Sequence, residues 1–212
     1  RSGGMERVVQ DLAEGAAALG HEVAVVAVES RVGGRVGGRQ RSTVTRVFSF
    51  GVLGSEEIAP GYLTAARRRA DVIHLHHPHP LADVASLLRS RRTPLVVTQH
   101  QDARRPVAHL LARAVIRRAA AVVVPSRAHL ALSRELDGFE NKTEVIPFGI
   151  DETRWAEVPR RPLDAPPRAL FLGRLLKFKG LDVLLRALER VPDLRLDIVG
   201  SGPEGSRLKT LT

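Results

Sequence analysis

The chain has 212 residues and carries 33 lysines and arginines against 23 aspartates and glutamates, which gives a formal net charge of +10. Apolar residues make up 43% of it, so it can bury a hydrophobic core and is not a wholly disordered chain. The sequence has no cysteine, which excludes disulfide scaffolds, thiolate zinc sites and cysteine nucleophiles. It also has no run of about 18 apolar residues, so no membrane span is expected.

The positive charge has two interpretations that stay open. The basic side chains can simply be solvated on the surface, or they can attract an anionic partner such as a phosphate ligand, an acidic membrane or a nucleic acid. Nucleic acid is the least supported of these partners, because only 4% of the residues are aromatic and few side chains could stack on bases. The Gly/Arg-rich residues 31–39 lie between two strand-like runs, which favours a flexible loop over an RNA-binding tract.

Hydrophobic patterns predict helices and strands in alternation through the first 150 residues. In chain order they are helix 5–19, strand 23–28, strand 43–50, helix 62–69, strand 71–76, helix 81–89, strand 94–98, helix 107–118, strand 121–124, helix 127–136 and strand 143–146. This alternation is typical of a doubly wound α/β fold, in which helices cover both faces of a parallel sheet. Ligands bind such sheets at the carboxyl ends of the strands.

A proline-rich segment without apolar periodicity separates this region from a second α/β pattern. The second pattern has a strand at 169–172, a helix at 181–190 and a strand at 194–199. We therefore expect a first domain over residues 1–150, a linker over 151–167 and the start of a second domain over 168–212, which ends inside a further helix. Two strands and about one and a half helices are not expected to bury a core alone.

Three glycine-containing turns precede predicted helices: Gly3-Gly4, the turn from Gly173 to Gly180, and Gly200-Ser201-Gly202. Glycine lets backbone amides approach a ligand, and a helix N-terminus favours an anion, although a tight turn explains Gly3-Gly4 equally well. In the second turn, Arg174 and Lys179 suit a diphosphate, the alternative being a solvated basic loop. The second and third turns follow adjacent strands and should meet at one edge of the sheet.

A group of histidines occupies the ends of two neighbouring predicted strands: His74, His76, His77, His79 and His100. A metal site is one interpretation, but carboxylate ligands do not cluster beside these histidines. His74 and His76 share one face of their strand and can be packed or hydrogen-bonded histidines. His100, at a strand end, is the better substrate contact. The nucleophile elbow of esterases, the P-loop and the zinc-peptidase motif do not occur in the sequence.

The strand ends and glycine turns form an ordered series of motifs. In order they are Gly3-Gly4-Met5-Glu6-Arg7, Leu19-Gly20-His21-Glu22-Val23, Asp71-Val72-Ile73-His74-Leu75-His76, Val97-Thr98-Gln99-His100, Val124-Pro125-Ser126, Val145-Ile146-Pro147-Phe148-Gly149-Ile150-Asp151, Gly173-Arg174 with Lys179-Gly180, and Val199-Gly200-Ser201-Gly202-Pro203. The series resembles that of the family 4 retaining glycosyltransferases and covers nearly the whole chain. The resemblance implies the GT-B fold of two Rossmann-like domains, with the reaction in the cleft between them.

The resemblance also implies a function and the residues that carry it. A sugar would move from a nucleotide diphosphate sugar to an acceptor, which the sequence does not identify, with retention of anomeric configuration. His100 matches the family's active-site histidine, Arg174 and Lys179 match the pair that holds the diphosphate, and Gly202 lies in a donor-binding turn. Gly3 and Gly4 would lie near the donor phosphates or the acceptor, and His76 is a further candidate substrate contact. No metal or other cofactor is expected.

The sequence departs from the family pattern in several places. The family's first strand, before Gly3, is missing, as is the later part of the second domain with its Glu-x7-Glu element. Phe148 and Trp155 stand where asparagine and phenylalanine are common. We therefore expect residues 1–212 alone to be inactive, although their parent is an enzyme.

Two rival functions stay open. Another GT-B enzyme, such as a nucleotide-sugar epimerase, would release an isomerised sugar without using an acceptor. A non-catalytic basic module would instead bind anionic lipid or nucleic acid with a steep salt dependence. The basic residues around helix 107–118 suit either an ordinary sheet-covering helix or contact with an anionic membrane. We expect a cytoplasmic protein, with peripheral contact to the cytoplasmic face of a membrane as a further expectation and no nucleic-acid partner.

Overall fold

The computed structural model describes residues 4–29, 43–48, 52–53, 56–57, 59–65, 67–103, 105–150, 152 and 167–211. The chain divides into two compact units, Arg1–Ile150 and Asp151–Thr212. Gly3, Trp155, the Gly/Arg-rich residues 31–39 and almost all of the expected linker lie outside the described residues.

The first unit follows the predicted alternation closely. Its helices are α1 (Gly4–Ala18), α2 (Gly61–Ala65), α3 (Pro80–Leu87), α4 (Pro106–Arg118) and α5 (Arg127–Leu132). Its strands are β1 (Ala24–Glu29), β2 (Thr43–Phe48), β3 (Val52–Leu53), β4 (Glu56–Glu57), β5 (Ile73–His77), β6 (Leu95–Gln99), β7 (Ala121–Val124) and β8 (Thr143–Val145). In the part of the chain that the structure describes, no helix has the length and apolar character needed to cross a bilayer.

The main sheet of the first unit is four-stranded and parallel, in the order β5-β6-β7-β8. Its central strands are continuous apolar runs because helices cover them, and Leu95, Val97, Val122 and Val124 are all buried. Val115 and Ile116 of α4 complete the core cluster with them. Parallel pairing brings the carboxyl ends of all four strands to one edge of the sheet, and this places the functional candidates together.

Several features of the first unit differ from the prediction, and one is that α2 ends at Ala65 where a helix over 62–69 was expected. Strands β1 and β2 form a separate parallel pair, and among the described residues neither is hydrogen-bonded to the four-stranded sheet. A short antiparallel hairpin, β3 with β4, was not predicted, because two-residue strands are too short to show a periodic pattern.

The predicted helix 127–136 was wrong at its C-terminal end. In the structure α5 ends at Leu132, and Ser133 adopts an extended conformation. Ser133, Glu135 and Leu136 turn into the interior instead of continuing the helix. The Ser133 and Glu135 side chains and the Arg134 amide bind the segment that follows β6, and these tertiary contacts outweigh the helical preference of the local sequence.

The second unit contains strands β9 (Arg168–Leu172) and β10 (Arg195–Val199), which pair in parallel, and helices α6 (Leu181–Leu188) and α7 (Gly205–Lys209). Leu175, Leu181 and Leu208 form a small buried cluster on one face of the strands. On the other face, Leu170 and Leu172 are 66% and 73% exposed. The expectation that the chain ends inside a helix was wrong, because α7 ends at Lys209 with Thr210 as its C-cap.

Candidate active site

The structure brings two of the predicted site residues into direct contact at the carboxyl edge of the main sheet. His76 lies in β5 and His100 follows β6, and the two strands pair with His76 opposite Thr98. The Nδ1 atom of His76 lies 3.0 Å from the Nε2 atom of His100, so one ring donates a hydrogen bond to the other. The neighbouring ring of His74 stacks on that of His76, with 4.6 Å between their centroids.

Further side chains complete the surroundings of this pair. The Nε2 atom of His74 is hydrogen-bonded to the Thr98 hydroxyl at 2.7 Å, so His74 is a packed and hydrogen-bonded histidine, which was one of its two interpretations. The ring of Phe148, in the segment after β8, lies 5.1 Å from the ring of His100. The row of rings therefore offers a substrate both a polar edge and an apolar face.

Both histidines of the pair are neutral at physiological pH. Burial lowers the pKa of His76 to about 3, and repulsion from His74 and His100 acts in the same direction. Burial, with repulsion from His129, His74 and His77, lowers the pKa of His100 to about 4. The two rings therefore share one hydrogen bond as neutral imidazoles, and neither acts as a cation near neutral pH.

The N-terminal end of α1 lies near this pair. Glu6, in the first turn of α1, raises the pKa of His100 against the larger lowering effect of burial, so its carboxylate is electrostatically coupled to the ring. Gly4 is the first residue of the same helix. Its predicted role beside the donor phosphates or the acceptor stays a prediction, as does that of Gly3.

His77, the neighbour of His76, belongs to a different environment. It is 1% exposed and lies between two carboxylates, with Nδ1 at 3.1 Å from Asp83 and Nε2 at 3.5 Å from Glu135. Burial by itself lowers the pKa of His77, but the hydrogen bonds and charges of Asp83 and Glu135 outweigh burial and raise it to about 9. His77 is therefore protonated at pH 7, directly beside a pair of neutral histidines.

Glu135 is the functional residue that sequence reasoning missed. It is fully buried and hydrogen-bonds Gln99, the residue before His100. The polar residues 99–102 at the end of β6 were visible in the sequence. Glu135 gave no comparable signal, because the helical pattern of residues 127–136 runs through it and charged residues in helices are usually solvated.

In the second unit, the two predicted glycine turns meet as expected. The Gly173 amide donates to the Val199 carbonyl at 3.0 Å, the Leu175 amide to the Ser201 carbonyl at 3.0 Å, and the Glu204 amide to the Leu175 carbonyl at 3.2 Å. The loops after β9 and β10 thus form one connected surface at the carboxyl edge of these two strands.

The two predicted diphosphate ligands lie on the first of these loops. Arg174 and Lys179 are both exposed. Lys177–Lys179 form a short 3-10 turn, which Gly180 ends with a φ of 66°, a conformation that favours glycine. The Lys179 ammonium lies 5.3 Å from the centre of the Phe178 ring. An exposed guanidinium and an exposed ammonium on one loop suit an anionic ligand, and their role in binding a diphosphate stays a prediction.

We expect Gly202→Ala to open the contact between the two loops. A Cβ at position 202 would lie 2.3 Å from the Leu175 carbonyl oxygen, so backbone would have to move. Hydrogen exchange at the Leu175 and Glu204 amides should become about tenfold faster or more, equivalent to a local loss of about 1.4 kcal/mol or more. Gly149→Ala is the control, since a Cβ there meets no atom within 4 Å. Equal exchange rates in both variants would contradict the expectation.

The metal interpretation of the histidine group finds no support in the side-chain arrangement. Across the described ranges, no group of three or more histidine, aspartate or glutamate side chains is placed to hold a metal ion. His74, His76 and His100 instead contact one another and Thr98, whereas His77 lies between the carboxylates of Asp83 and Glu135, which the sequence did not show beside it.

The histidines also predict how stability depends on pH. The folded state raises the pKa of His77 from 6.5 to about 9, so its contribution is complete below about pH 6.5 and is lost as the pH rises through 9. The folded state lowers the pKa values of His76 and His100, so stability also falls as the pH drops from 6.5 towards 4. These three residues together favour a maximum of the folding stability near pH 6.5.

We therefore expect the free energy of unfolding of the first unit to fall by about 3 kcal/mol between pH 6.5 and 9, at about 1.4 kcal/mol per pKa unit. Urea unfolding followed on NMR signals of β6 and β7 measures it. His77→Gln should abolish this alkaline loss, whereas His21→Gln, at an exposed position, should keep it. A wild-type chain that is equally stable at both pH values would contradict the buried ion pair.

The chain resembles one protein family along most of its first unit. Residues 2–154 match the family model described as Glycosyltransferase Family 4. The D-rhamnosyltransferase WbpZ of Pseudomonas aeruginosa is 32% identical over 145 residues, covering 63% of this chain and 38% of that protein. A phosphatidyl-myo-inositol mannosyltransferase of Mycolicibacterium smegmatis is 30% identical over 145 residues, covering 63% of this chain and 37% of that protein.

Among solved structures, HepE of Anabaena, crystallised in complex with UDP and glucose, matches with a TM-score of 0.55. It is 19% identical, and the match covers 90% of this chain and 65% of HepE. At this level of identity the similarity shows the fold alone. The chain spans less than two fifths of the length of the two curated relatives above.

Proposed function

The chain belongs to glycosyltransferase family 4 and has an α/β fold of the GT-B type, and from that premise we propose that it serves the transfer of a sugar from a nucleotide diphosphate sugar to an acceptor, with retention of anomeric configuration. The observation that carries the proposal is the hydrogen-bonded pair of neutral histidines, His76 and His100, at the carboxyl edge of the sheet. His100 is the residue that matches the family's active-site histidine.

The chemistry of the two sets of residues supports this assignment. A neutral imidazole can donate a hydrogen bond to a sugar hydroxyl without placing a second positive charge beside a developing oxocarbenium ion. In retaining transfer, negative charge develops on the departing nucleoside diphosphate, and fixed cations stabilise such charge most effectively. We assign that role to Arg174 and Lys179, with the turn at Gly202 beside the phosphates. Because these side chains would supply the positive charge, we propose that transfer needs no metal.

The names of the relatives support a hexose or deoxyhexose as the transferred sugar. One is a D-rhamnosyltransferase and another a mannosyltransferase, whereas HepE was solved with UDP and glucose. We propose a nucleoside diphosphate hexose as donor. The acceptor is a lipid, a glycan or a small molecule.

A transfer assay on the full natural polypeptide that contains this sequence tests the proposal. GDP-mannose, UDP-glucose and a nucleoside diphosphate D-rhamnose, each radiolabelled, are incubated with membrane lipid and glycan extracts, with and without EDTA. A labelled product with the donor's anomeric configuration, formed equally in EDTA, is expected. Residues 1–212 alone, whose match covers 38% of the first curated relative, are expected to form no product.

The same assay separates the rivals. Release of a free isomerised sugar without any acceptor would establish an epimerase instead. No reaction with any donor, together with salt-sensitive binding to anionic vesicles or DNA, would favour a non-catalytic basic module. Peripheral contact with an anionic membrane is compatible with transfer. Arg105, Val107 and Leu110 are exposed at the start of α4, where they could meet a membrane surface, while Ala112, Val115 and Ile116 of the same helix are buried in the core.

A further inference from the structure

We infer that Glu135 is a positioning residue for His100, because its carboxylate holds both ends of the loop in which His100 lies. The inference rests on the proposed function for its consequence, since His100 is the proposed active-site residue. Glu135 itself does not touch the histidine pair in any described contact, and it acts through the backbone and side chains of residues 99–103.

The two carboxylate oxygens of Glu135 accept hydrogen bonds from opposite ends of the loop. Oε2 accepts a hydrogen bond from the side-chain amide of Gln99 at 2.7 Å, and Oε1 accepts one from the backbone amide of Ala103 at 2.9 Å. Gln99 immediately precedes His100, and Ala103 follows it by three residues. Because both bonds are made to one buried group, the loop between them has little freedom to shift.

The segment that carries Glu135 makes a second set of hydrogen bonds to the loop, through Asp102. Asp102 accepts hydrogen bonds from the Ser133 hydroxyl and from the Arg134 amide, the latter at 3.0 Å, and from the Gln99 side chain at 3.1 Å. The early end of α5 at Leu132 makes these contacts possible, because it frees residues 133–135 to turn towards the loop.

A third contact fixes His100 from the side of β5. Its backbone amide donates to the carbonyl of His77 at 3.0 Å. The ring of His77 lies 3.5 Å from Glu135, so the residue that binds the His100 backbone is itself paired with the residue that holds the loop. His76, the partner of the His100 ring, precedes His77 directly.

The charge of Glu135 is essential to this arrangement. Both oxygens must accept, since Gln99 and Ala103 both donate, and only the ionised carboxylate offers two acceptor oxygens without a proton. Burial raises the pKa of Glu135, but the nearby charged His77 ring and the hydrogen bonds from the Ala103 amide and the Gln99 side chain together lower it below its usual value. The titratable and charged side chains that face this network are His77 of β5, Asp83 of α3, Asp102 of the loop, His109 of α4 at 3.4 Å from Glu135, and Arg113 of α4, which donates to the Glu135 backbone carbonyl at 3.1 Å.

The buried ion pair of His77 and Glu135 is expected to do more than fill space in the core. Burying an ion pair is costly, and replacing one with apolar residues is often neutral or stabilising, so its presence next to a functional loop suggests a positional role. A functional side chain must be held within about 0.5 Å of its productive place, which requires supporting hydrogen bonds of this kind.

The test uses NMR on the 212-residue chain with Glu135→Gln. The glutamine has nearly the same shape, but its NH2 group cannot accept a hydrogen bond, so one end of the loop must be released. We expect exchange at the Ala103 and His100 amides to become about tenfold faster or more, while the Val97 and Val123 amides in the strands keep their protection. The ring titration of His77 should also move towards its ordinary pKa.

Glu144→Gln is the matched control, because Glu144 is an exposed glutamate of β8. Unchanged exchange at Ala103 and His100 in a folded Glu135→Gln chain would overturn the inference. If that variant does not fold, Glu135→Asp decides the question. It keeps the charge but is one methylene shorter and cannot reach both ends, so the same local acceleration is expected and its absence overturns the inference.

Kinetics on the full natural polypeptide separate this inference from the proposed function. Glu135→Gln should lower kcat by about tenfold or more and change the donor KM little, because misplacing a reacting group costs rate more than binding. An active enzyme whose kcat is unaffected by Glu135→Gln overturns the positioning role and leaves the proposed function intact. A wild-type polypeptide without transfer activity overturns the proposed function, whereas the exchange measurements still decide whether Glu135 holds His100.

Discussion

Lys179→Ala is expected to lower kcat for sugar transfer by the full natural polypeptide at least about 10²-fold, the usual effect of removing one group that stabilises transition-state charge. The proposed reason is the loss of a cation beside the departing diphosphate. Folding should be unaffected, since Lys179 is exposed and its ammonium packs against the ring of the adjacent Phe178. Arg174→Ala should have a similar effect.

The same loop offers a matched control for this prediction. Lys177 is also an exposed lysine of the 3-10 turn, so Lys177→Ala removes the same charge two residues away. Steady-state rates with saturating donor compare the two variants, and circular dichroism checks that both are folded. If the two variants are equally active, a specific diphosphate contact by Lys179 is wrong and the solvated-loop interpretation is correct.

His100→Ala is expected to lower kcat by roughly 10²-fold, the size of effect seen when a single well-placed polar group is removed from an active site. His100→Phe should be as inactive as the alanine variant. Phenylalanine keeps an aromatic ring beside Phe148, but it cannot hydrogen-bond His76 or a sugar hydroxyl. His21→Ala is the control, because His21 is exposed and distant in sequence from the strand ends.

The pH dependence of kcat tests the state of His100 in the same experiment. Because burial and its neighbours lower the pKa of His100 to about 4, its ring stays neutral from pH 5.5 upward. We therefore expect no rise in kcat near pH 6.5 that depends on His100. A His100-dependent inflection near pH 6.5, or an active His100→Phe enzyme, would contradict the role of a neutral hydrogen-bonding imidazole.

The sequence predicted the fold well because the fold depends on repeated local patterns. Short continuous apolar runs such as 121–124 are typical of strands in a covered parallel sheet, and their alternation with amphipathic helices indicates a parallel α/β arrangement. For the same reason the strand ends were predictable, and with them the neighbourhood of His76 and His100. The glycine turns at Gly173 and Gly200 were predicted to meet because they follow two strands that were expected to be adjacent.

Where sequence reasoning failed, a tertiary contact outweighed a local preference. Residues 133–136 continue the helical pattern of α5, yet in the structure they leave the helix to bind the loop after β6. The packing of the histidines could not be predicted from spacing, because ring stacking and the contact with Thr98 depend on how β5 and β6 align.

By itself the sequence therefore determined the parallel α/β architecture, the family and the strand ends at which the candidate site lies, since these follow from periodicity and from short motifs in order. Only the tertiary structure decided which histidines of that site are protonated and which residues hold them in place. A net charge of +10 gives no hint that His76 and His100 are neutral while His77, next in the chain, is charged. The difference arises from what each ring is buried against: other histidines in one case, and the carboxylates of Asp83 and Glu135 in the other.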